Sequence, residues 1–246
     1  MAEAIEAVVT GAASGIGRAC AERLLRESLN VLAVDQNAQG LEDFRAQGVG
    51  TLVADLASES ERDRVVEAAR GARYLVNAAG KIRLRPIFES GVADMRDIYP
   101  VNVEAVWDLT SRLGRAMPAG GAVVNVSSFS AKVSSTIECA VYASSKAAVL
   151  SITRSFAYAL APQSVRVNAV VPGIIDTPMQ DEVIEKVALF RGSTPAEISR
   201  GRNATIPLGR TGSPDECAGI IWFLLSAEAG YLTGQAINVD GGQIMF

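Results

Sequence analysis

Tyr142 and Lys146 stand four residues apart in the segment Tyr142-Ala143-Ser144-Ser145-Lys146. On a helix that spacing puts both side chains on one face. A free phenol titrates near ~10, so only about 0.1% of it is phenolate at neutral pH. Bringing it to neutrality takes about 4 kcal/mol, and one ammonium at ~4 Å in an effective dielectric of ~20 supplies about that much. The pair therefore reads as an acid/base tyrosine tuned by a lysine, although such a spacing on its own more often marks an exposed Tyr and Lys sharing a helix face. The chain contains no histidine. This excludes Ser-His-Asp and Cys-His hydrolases, His-based hydride transfer and nearly all catalytic zinc sites, so no metal is expected. Acid–base chemistry near neutral pH falls to Tyr, Lys, Cys or a carboxylate.

A glycine-rich turn is the second constellation. Thr10-Gly11-Ala12-Ala13-Ser14-Gly15-Ile16-Gly17 follows an apolar run and opens a helical pattern. Glycine permits φ > 0 in a tight turn and lets backbone amides approach a pyrophosphate, with the helix N-terminus facing the anion. The spacing is GxxxGxG, not the GxGxxG of other dinucleotide folds, and in isolation it is also an ordinary glycine-rich turn. Asp35 ends the second strand, 18 residues after Gly17. There it accepts hydrogen bonds from adenosine ribose hydroxyls, or it is a solvated turn residue. Asp55, with Leu56 beside it, ends the third strand; it meets an adenine amino group or simply caps the next helix. The run 123–128 (VVNVSS) places hydroxyls just past a strand's C-terminal end, the edge where open α/β sheets bind ligands. Ser127 there reads as turn chemistry. Cys139, three residues before Tyr142, has no evident base to activate it and reads as a pocket wall.

Positioning these residues takes a repeating scaffold. Apolar runs at 4–10, 31–34, 50–54, 73–77, 121–126, 165–170 and 235–239 alternate with helical patterns at 18–27, 59–70, 91–117, 142–161 and 214–225. Several strands are continuous β-branched runs, as in a parallel sheet buried on both faces. The expected class is α/β: a single-domain, doubly wound parallel sheet of Rossmann type, with helices on both faces and right-handed crossovers. No linker or repeat divides residues 1–246. Residues 176–207 break the alternation, are rich in charge and hold a helix start at Thr194-Pro195, so they read as a small substrate lid.

The 246 residues carry 23 Lys plus Arg and 27 Asp plus Glu, a net charge of −4, with a pI near 5.1. That balance argues against a nucleic-acid or anionic-membrane partner. Cys20, Cys139 and Cys217 are far apart, so neither a disulfide framework nor structural zinc is expected, in keeping with a reducing cytosol. The N-terminal stretch has Glu3 and Glu6 and no basic region, so it is not a signal peptide. No apolar run approaches the ~18 residues of a membrane span. The expected location is cytoplasmic.

Taken in order, TGxxxGIG (10–17), NAAG (77–80), Asn102 in VNV, SS (127–128), YxxxK (142–146), RVNAVVPG (166–173) and VDGG (239–242) resemble the classical short-chain dehydrogenase/reductase family over essentially the whole chain. The resemblance implies an NAD(P)-dependent oxidoreductase acting on a secondary alcohol or its ketone. By position, it makes Tyr142 the acid/base and has Lys146 lower its pKa and hold the nicotinamide ribose. Ser128 would bond the substrate oxygen, and Asn102 would hold a water linking Lys146 to solvent. The cofactor site it implies takes in Gly11, Ser14, Gly15, Ile16, Gly17, Asp35, Asp55, Leu56, Asn77, Ala78, Ala79, Gly80, Tyr142, Lys146, Pro172, Gly173, Ile175 and Thr177. The Ile175 backbone and Thr177 would grip the carboxamide.

The chain departs from the family pattern in places. Ser128 and Tyr142 are one residue further apart than usual, which leaves a role open to Ser130. Lys81 follows NAAG where an apolar residue is common, and GARYL replaces the usual motif before strand four. The cofactor expectation is NAD, because a 2′-phosphate would meet Asp35 and the places that carry a cation in NADP users hold Ser14 and Gln36; Arg18, the nearby basic residue, faces solvent or the pyrophosphate. The polar segment 129–138 and the lid residues Arg191, Arg200 and Arg202 suit a hydroxylated substrate such as a polyol, sugar or dihydrodiol, unless they and Lys132 are merely solvated. Two alternatives stand beside this: a 3-oxoacyl carrier-protein-type ketoreductase, disfavoured by Asp35 and the net charge, and a non-catalytic nucleotide-binding scaffold, disfavoured by the retained Tyr and Lys. A homotetramer is implied by the family and by the apolar helix and tail over 218–246.

Overall fold

The computed structural model describes residues 4–134 and 136–246. Glu3 and Ser135, which entered the readings of the N-terminus and of segment 129–138, lie outside the described residues. The chain alternates strand and helix: β1 (Ala7–Thr10), α1 (Gly15–Arg26), β2 (Val31–Asp35), α2 (Glu42–Ala46), β3 (Gly50–Val53), α3 (Glu59–Ala68), β4 (Tyr74–Asn77), α4 (Val92–Tyr99), α5 (Ala105–Ala116), β5 (Ala122–Val126), α6 (Ala140–Leu160), β6 (Arg166–Pro172), α7 (Pro178–Arg191), α8 (Pro195–Asn203), α9 (Pro214–Leu225) and β7 (Ala236–Val239). The strands form one parallel sheet in the order β3-β2-β1-β4-β5-β6-β7. The class is the one expected, a doubly wound Rossmann-type sheet.

Successive residues of a strand point to opposite faces, so each strand serves two cores. In β1, Ala7 and Val9 pack with Ala21 and Leu24 of α1 and Ile221 of α9. Val8 packs on the other side with Leu109 of α5 and Val149 of α6. This is why the strands read as unbroken apolar runs. Chain direction across the sheet reverses between β1 and β4, which opens a crevice at the C-terminal edge of those strands.

Two details differ from the helical patterns in the sequence. The pattern over 91–117 is interrupted by a π turn at Pro100–Glu104, where Pro100 lacks the N–H that would continue an α-helix. The long helix starts at Ala140 rather than Tyr142, so Tyr142 sits inside its first turn. The expected lid is two helices. α8 opens with Thr194 and Glu197 bonding each other's backbone across the first turn, with Pro195 at the start, as its sequence requires.

Candidate active site

The crevice at the switch point is a cleft of about 730 Å³. One wall is the turn between β1 and α1. Gly11 has φ of +71°, and a Cβ there would stand 2.8 Å from the Cα of Ala79. A Cβ on Gly17 would stand 2.2 Å from the Gly11 carbonyl oxygen. The turn thus closes only with glycine at both places. Ser14 makes no side-chain cap on α1, and the first helical bond runs from Arg18 N–H to the Ser14 carbonyl. The preceding amides are free to bond an anion.

Asp35 lines the same cleft. Its Oδ2 accepts from Ala13 N–H at 3.0 Å and its Oδ1 from Asn37 N–H at 2.9 Å, so the carboxylate also fixes the glycine turn. Arg18 does not line the cleft. It pairs with Glu22 at 2.9 Å and Asp43 at 2.7 Å and lies over Phe44. Asp55 and Leu56 line the cleft; Asp55 accepts from Ala57 N–H at 3.0 Å, while the cap position of α3 belongs to Ser58.

The loop after β4 is held by a residue whose role the sequence did not disclose. Thr10 Oγ1 accepts from both Ala78 N–H and Ala79 N–H at 3.1 Å. Ala78, Ala79 and Gly80 line the cleft, but Asn77 does not. Its buried amide donates to Thr110 Oγ1 at 3.1 Å and to Asn125 Oδ1 at 2.8 Å, and Asn125 donates to Thr153 Oγ1 at 3.0 Å. Asn77 is thus a strut under the cleft rather than part of its wall. Such a polar chain needed the third dimension to be seen, since its members come from β4, α5, β5 and α6.

Asn102 sits fully buried in the π turn. Its Oδ1 accepts from Lys81 N–H at 2.8 Å, and its Nδ2 donates to Lys81 O at 2.9 Å and Ser145 Oγ at 2.9 Å. Ser145 Oγ donates onward to Tyr142 O at 2.7 Å. With both Nδ2 hydrogens spent, Asn102 clamps the post-β4 loop to α6. Lys81 itself pairs with Asp97 at 2.5 Å.

Ser128, Tyr142 and Lys146 meet at the far end of the cleft, all buried. Ser128 stands beside the Tyr142 phenol, close enough to favour its ionised form, and Ser128 Oγ accepts from Ser130 N–H at 3.2 Å. Ser130 stands instead beside the Cys139 thiol, which donates to Thr136 O at 3.0 Å. Of the two serines, Ser128 is the one beside the phenol. Ser127 Oγ donates to Lys146 O at 2.8 Å and ties β5 to α6. Lys146 Nζ donates to Val126 O at 2.8 Å and lies 5.8 Å from the Tyr142 ring centroid.

The lowered tyrosine pKa expected from the Tyr-Lys pair is not present in the chain by itself. Burial pushes Tyr142 up to about 12, against the opposing effect of Ser128 beside it. Burial likewise pushes Lys146 down to about 8. Desolvation of two buried groups outweighs their mutual help, because the ammonium is turned to Val126 O rather than to the phenol oxygen.

Pro172, Gly173, Ile175 and Thr177 complete the wall. Thr177 Oγ1 caps α7 by accepting from Gln180 N–H at 3.3 Å. Of the cations in the lid and the loop beside it, Lys132 bonds Asn238 Oδ1 at 2.8 Å. Arg191 grips Glu138 with two bonds of 2.8 Å. Arg200 is exposed, and Arg202 alone of the four lines the cleft. No helix among the described residues is long and apolar enough to cross a membrane.

A family model described as enoyl-(acyl carrier protein) reductase matches residues 11–243. The chain is 34% identical over 253 residues to L-2,3-butanediol dehydrogenase of Corynebacterium glutamicum, covering 97% of this chain and 98% of that one. It also resembles a short-chain dehydrogenase/reductase, glucose/ribitol dehydrogenase, of Brucella melitensis (TM-score 0.88, 32% identity, 98% and 97% of the two chains). A single-residue variant of the actinorhodin polyketide ketoreductase, solved with NADPH, superposes with a TM-score of 0.89 at 30% identity over 99% of each chain. Similarity along the whole length, with the ordered motifs folded around one cleft, makes this chain a member of the classical short-chain dehydrogenase/reductase family of oxidoreductases.

Proposed function

We propose that the protein is an NAD-dependent oxidoreductase that interconverts a small polar secondary alcohol and its ketone. The observation that carries this is Ser128 beside Tyr142, both buried with Lys146 at one end of a cleft whose other end is the glycine turn and Asp35. The relatives named for butanediol and for glucose/ribitol fit substrates of that size and polarity.

A nicotinamide dinucleotide fits the residues present. The uncapped amides of α1 suit its pyrophosphate, and Asp35 suits a ribose diol. When bound, the nicotinamide accepts or supplies the hydride and, oxidised, adds positive charge. Ser128 Oγ holds the substrate oxygen beside Tyr142. With its phenol pushed up to about 12, Tyr142 stands protonated and donates to the oxygen of a ketone being reduced. In the oxidative direction it takes the hydroxyl proton, and Lys146 must favour the phenolate. Asn102, through Ser145, fixes the first turn of α6 and so aims Tyr142.

NAD is favoured over NADP for an electrostatic reason. A 2′-phosphate beside Asp35 meets a repulsion of up to ~4 kcal/mol at ~4 Å and effective dielectric ~20. Arg18, the basic residue that could relieve it, is committed to Glu22 and Asp43. The ketoreductase neighbour binds NADPH, so the deciding experiment is a panel of secondary alcohols and ketones with NAD(H) and NADP(H) in parallel, read by absorbance of the reduced cofactor. Turnover confined to NADP(H) and acyl-carrier ketones would favour the ketoreductase alternative. A homotetramer suits the half-exposed face of α9 and the exposed Tyr231, Met245 and Phe246, and light scattering measures it.

A further inference from the structure

The helices α7 and α8 leave two hydrogen-bond donors unused beside the reacting groups. Arg202 Nε and Gln180 Nε2 are buried and without a partner among the described residues. Both residues line the cleft that holds Ser128 and Tyr142. They are held together, because Arg202 Nη2 donates to Gln180 Oε1 at 3.3 Å. That bond occupies the acceptor of the Gln180 amide and leaves its donor end over. The carboxylate next to Cys139 in the chain, Glu138, is consumed by Arg191. What faces Arg202 from the start of α6 is the Cys139 thiol, one helical turn before Tyr142, and from α7 a second cation, Arg191. Burial lowers the Arg202 pKa from its ordinary value, yet a guanidinium stays charged at physiological pH. A half-buried cation with no anion is costly for the chain alone and ready-made for a planar carboxylate.

We propose that the substrate of this cleft is a hydroxy acid, its secondary alcohol at Ser128 and Tyr142 and its carboxylate at the cleft-facing part of the Arg202 guanidinium, which Gln180 holds in place through its Oε1. The inference rests on the alcohol–ketone reading of the same site. Oxidation would pass the carbinol hydride to an oxidised nicotinamide and the hydroxyl proton to Tyr142, giving the corresponding oxo acid and leaving the carboxylate unchanged. The carboxylate supplies specificity, because a site with unpaired buried donors rejects analogues that cannot fill them.

The test compares pairs with the same carbon chain: 3-hydroxybutyrate with 1,3-butanediol, and lactate with 1,2-propanediol. The expected result is a kcat/KM at least ~10-fold higher for the acid of one pair, carried by KM. In Arg202→Met that acid-to-neutral ratio falls by ~10-fold or more, and Arg202→Lys recovers part of it. A second measurement does not depend on turnover: titration of the NAD complex, which holds no hydride to transfer to a ketone, with acetoacetate and with 2-butanone by calorimetry should show the acid binding more tightly, and Arg202→Met losing that preference with its NAD affinity as the folding control. Equal or better use of the neutral partners, with a ratio that Arg202→Met does not move, overturns the carboxylate inference and leaves the alcohol–ketone reading standing. Acid binding without turnover of either pair supports the carboxylate site and counts against that reading. Absence of both acid binding and acid turnover overturns the inference.

Discussion

The floor of the cleft and the helices α7 and α8 beside it solve the problem of buried polarity in opposite ways. Under the sheet edge, Asn77, Asn125, Thr110 and Thr153 bond one another, Thr10 holds Ala78 and Ala79, and Asn102 joins Lys81 to Ser145. Each amide there has its partners inside the protein. On α7 and α8, Gln180 and Arg202 keep buried donors that no described residue satisfies. A fully paired network is rigid and specifies one geometry, which suits groups that must present the same Ser-Tyr-Lys arrangement to any substrate. Unpaired donors are tolerated where a ligand completes them, which suits the part that distinguishes one substrate from another. The contrast sets the Ser-Tyr-Lys framework, at the end of β5 and on α6, apart from α7 and α8, where the proposed carboxylate contact would put selectivity.

Changes at the paired floor should cost most. Tyr142→Phe removes the proton carrier and should lower kcat by about 1000-fold or more, with NADH affinity within a few-fold because the cofactor contacts lie along the other wall. Stopped-flow turnover with a fluorescence titration of NADH checks both, and near-normal turnover would show that the phenol is not the acid.

Ser128→Ala should reduce kcat ~100-fold, the effect of losing one donor to the reacting oxygen. Ser130→Ala should cost less than ~10-fold, since its side chain stands beside Cys139 rather than the phenol. Reversal of that ranking in steady-state assays would move the oxygen site from the strand end to the loop, and with it the boundary between the two regions.

The cofactor wall gives a third comparison. The unaltered protein should prefer NAD over NADP by ~100-fold in kcat/KM, equivalent to ~2.7 kcal/mol. Asp35→Ala should shrink the ratio to ~10-fold or below, and Gln36→Arg added to it should shrink it further. Because Asp35 also anchors Ala13 N–H, the substitution should raise KM for both cofactors, and melting curves would separate that structural cost from the change in ratio.

The smallest effect concerns pH. Lys146 titrates at about 8 when folded against an ordinary 10.5, so between those values the unfolded chain binds the extra proton. Stability should therefore rise with pH across that window, by up to ~2 kcal/mol between pH 8 and 10. Above pH 10 the trend reverses, because Tyr142 keeps its proton to about 12 in the folded state while the unfolded phenol has lost it. Urea unfolding at stepped pH measures the rise, and Lys146→Met should abolish it. A flat profile in the parent protein would mean that Lys146 is better solvated than its burial implies.

Much of this was legible in the residues alone, for local reasons. Continuous β-branched runs require a sheet covered on both faces, and glycines at 11, 15 and 17 require a tight turn before a helix. A Tyr and Lys four apart must share a helix face, and without histidine they are among the groups left for acid–base work, from which the family resemblance singles them out. These are properties of spacing and side-chain type, so they survive without coordinates. Tertiary structure decided what depends on neighbours distant in sequence. It turned Asn77 inward to Asn125 and gave Thr10 to the post-β4 loop. It spent Arg18 on Asp43, Lys132 on Asn238 and Arg191 on Glu138, leaving Arg202 in the cleft. It also set the sign of the Tyr142 shift, because burial and the direction of the Lys146 ammonium follow from packing between β5 and α6, which a four-residue spacing does not encode.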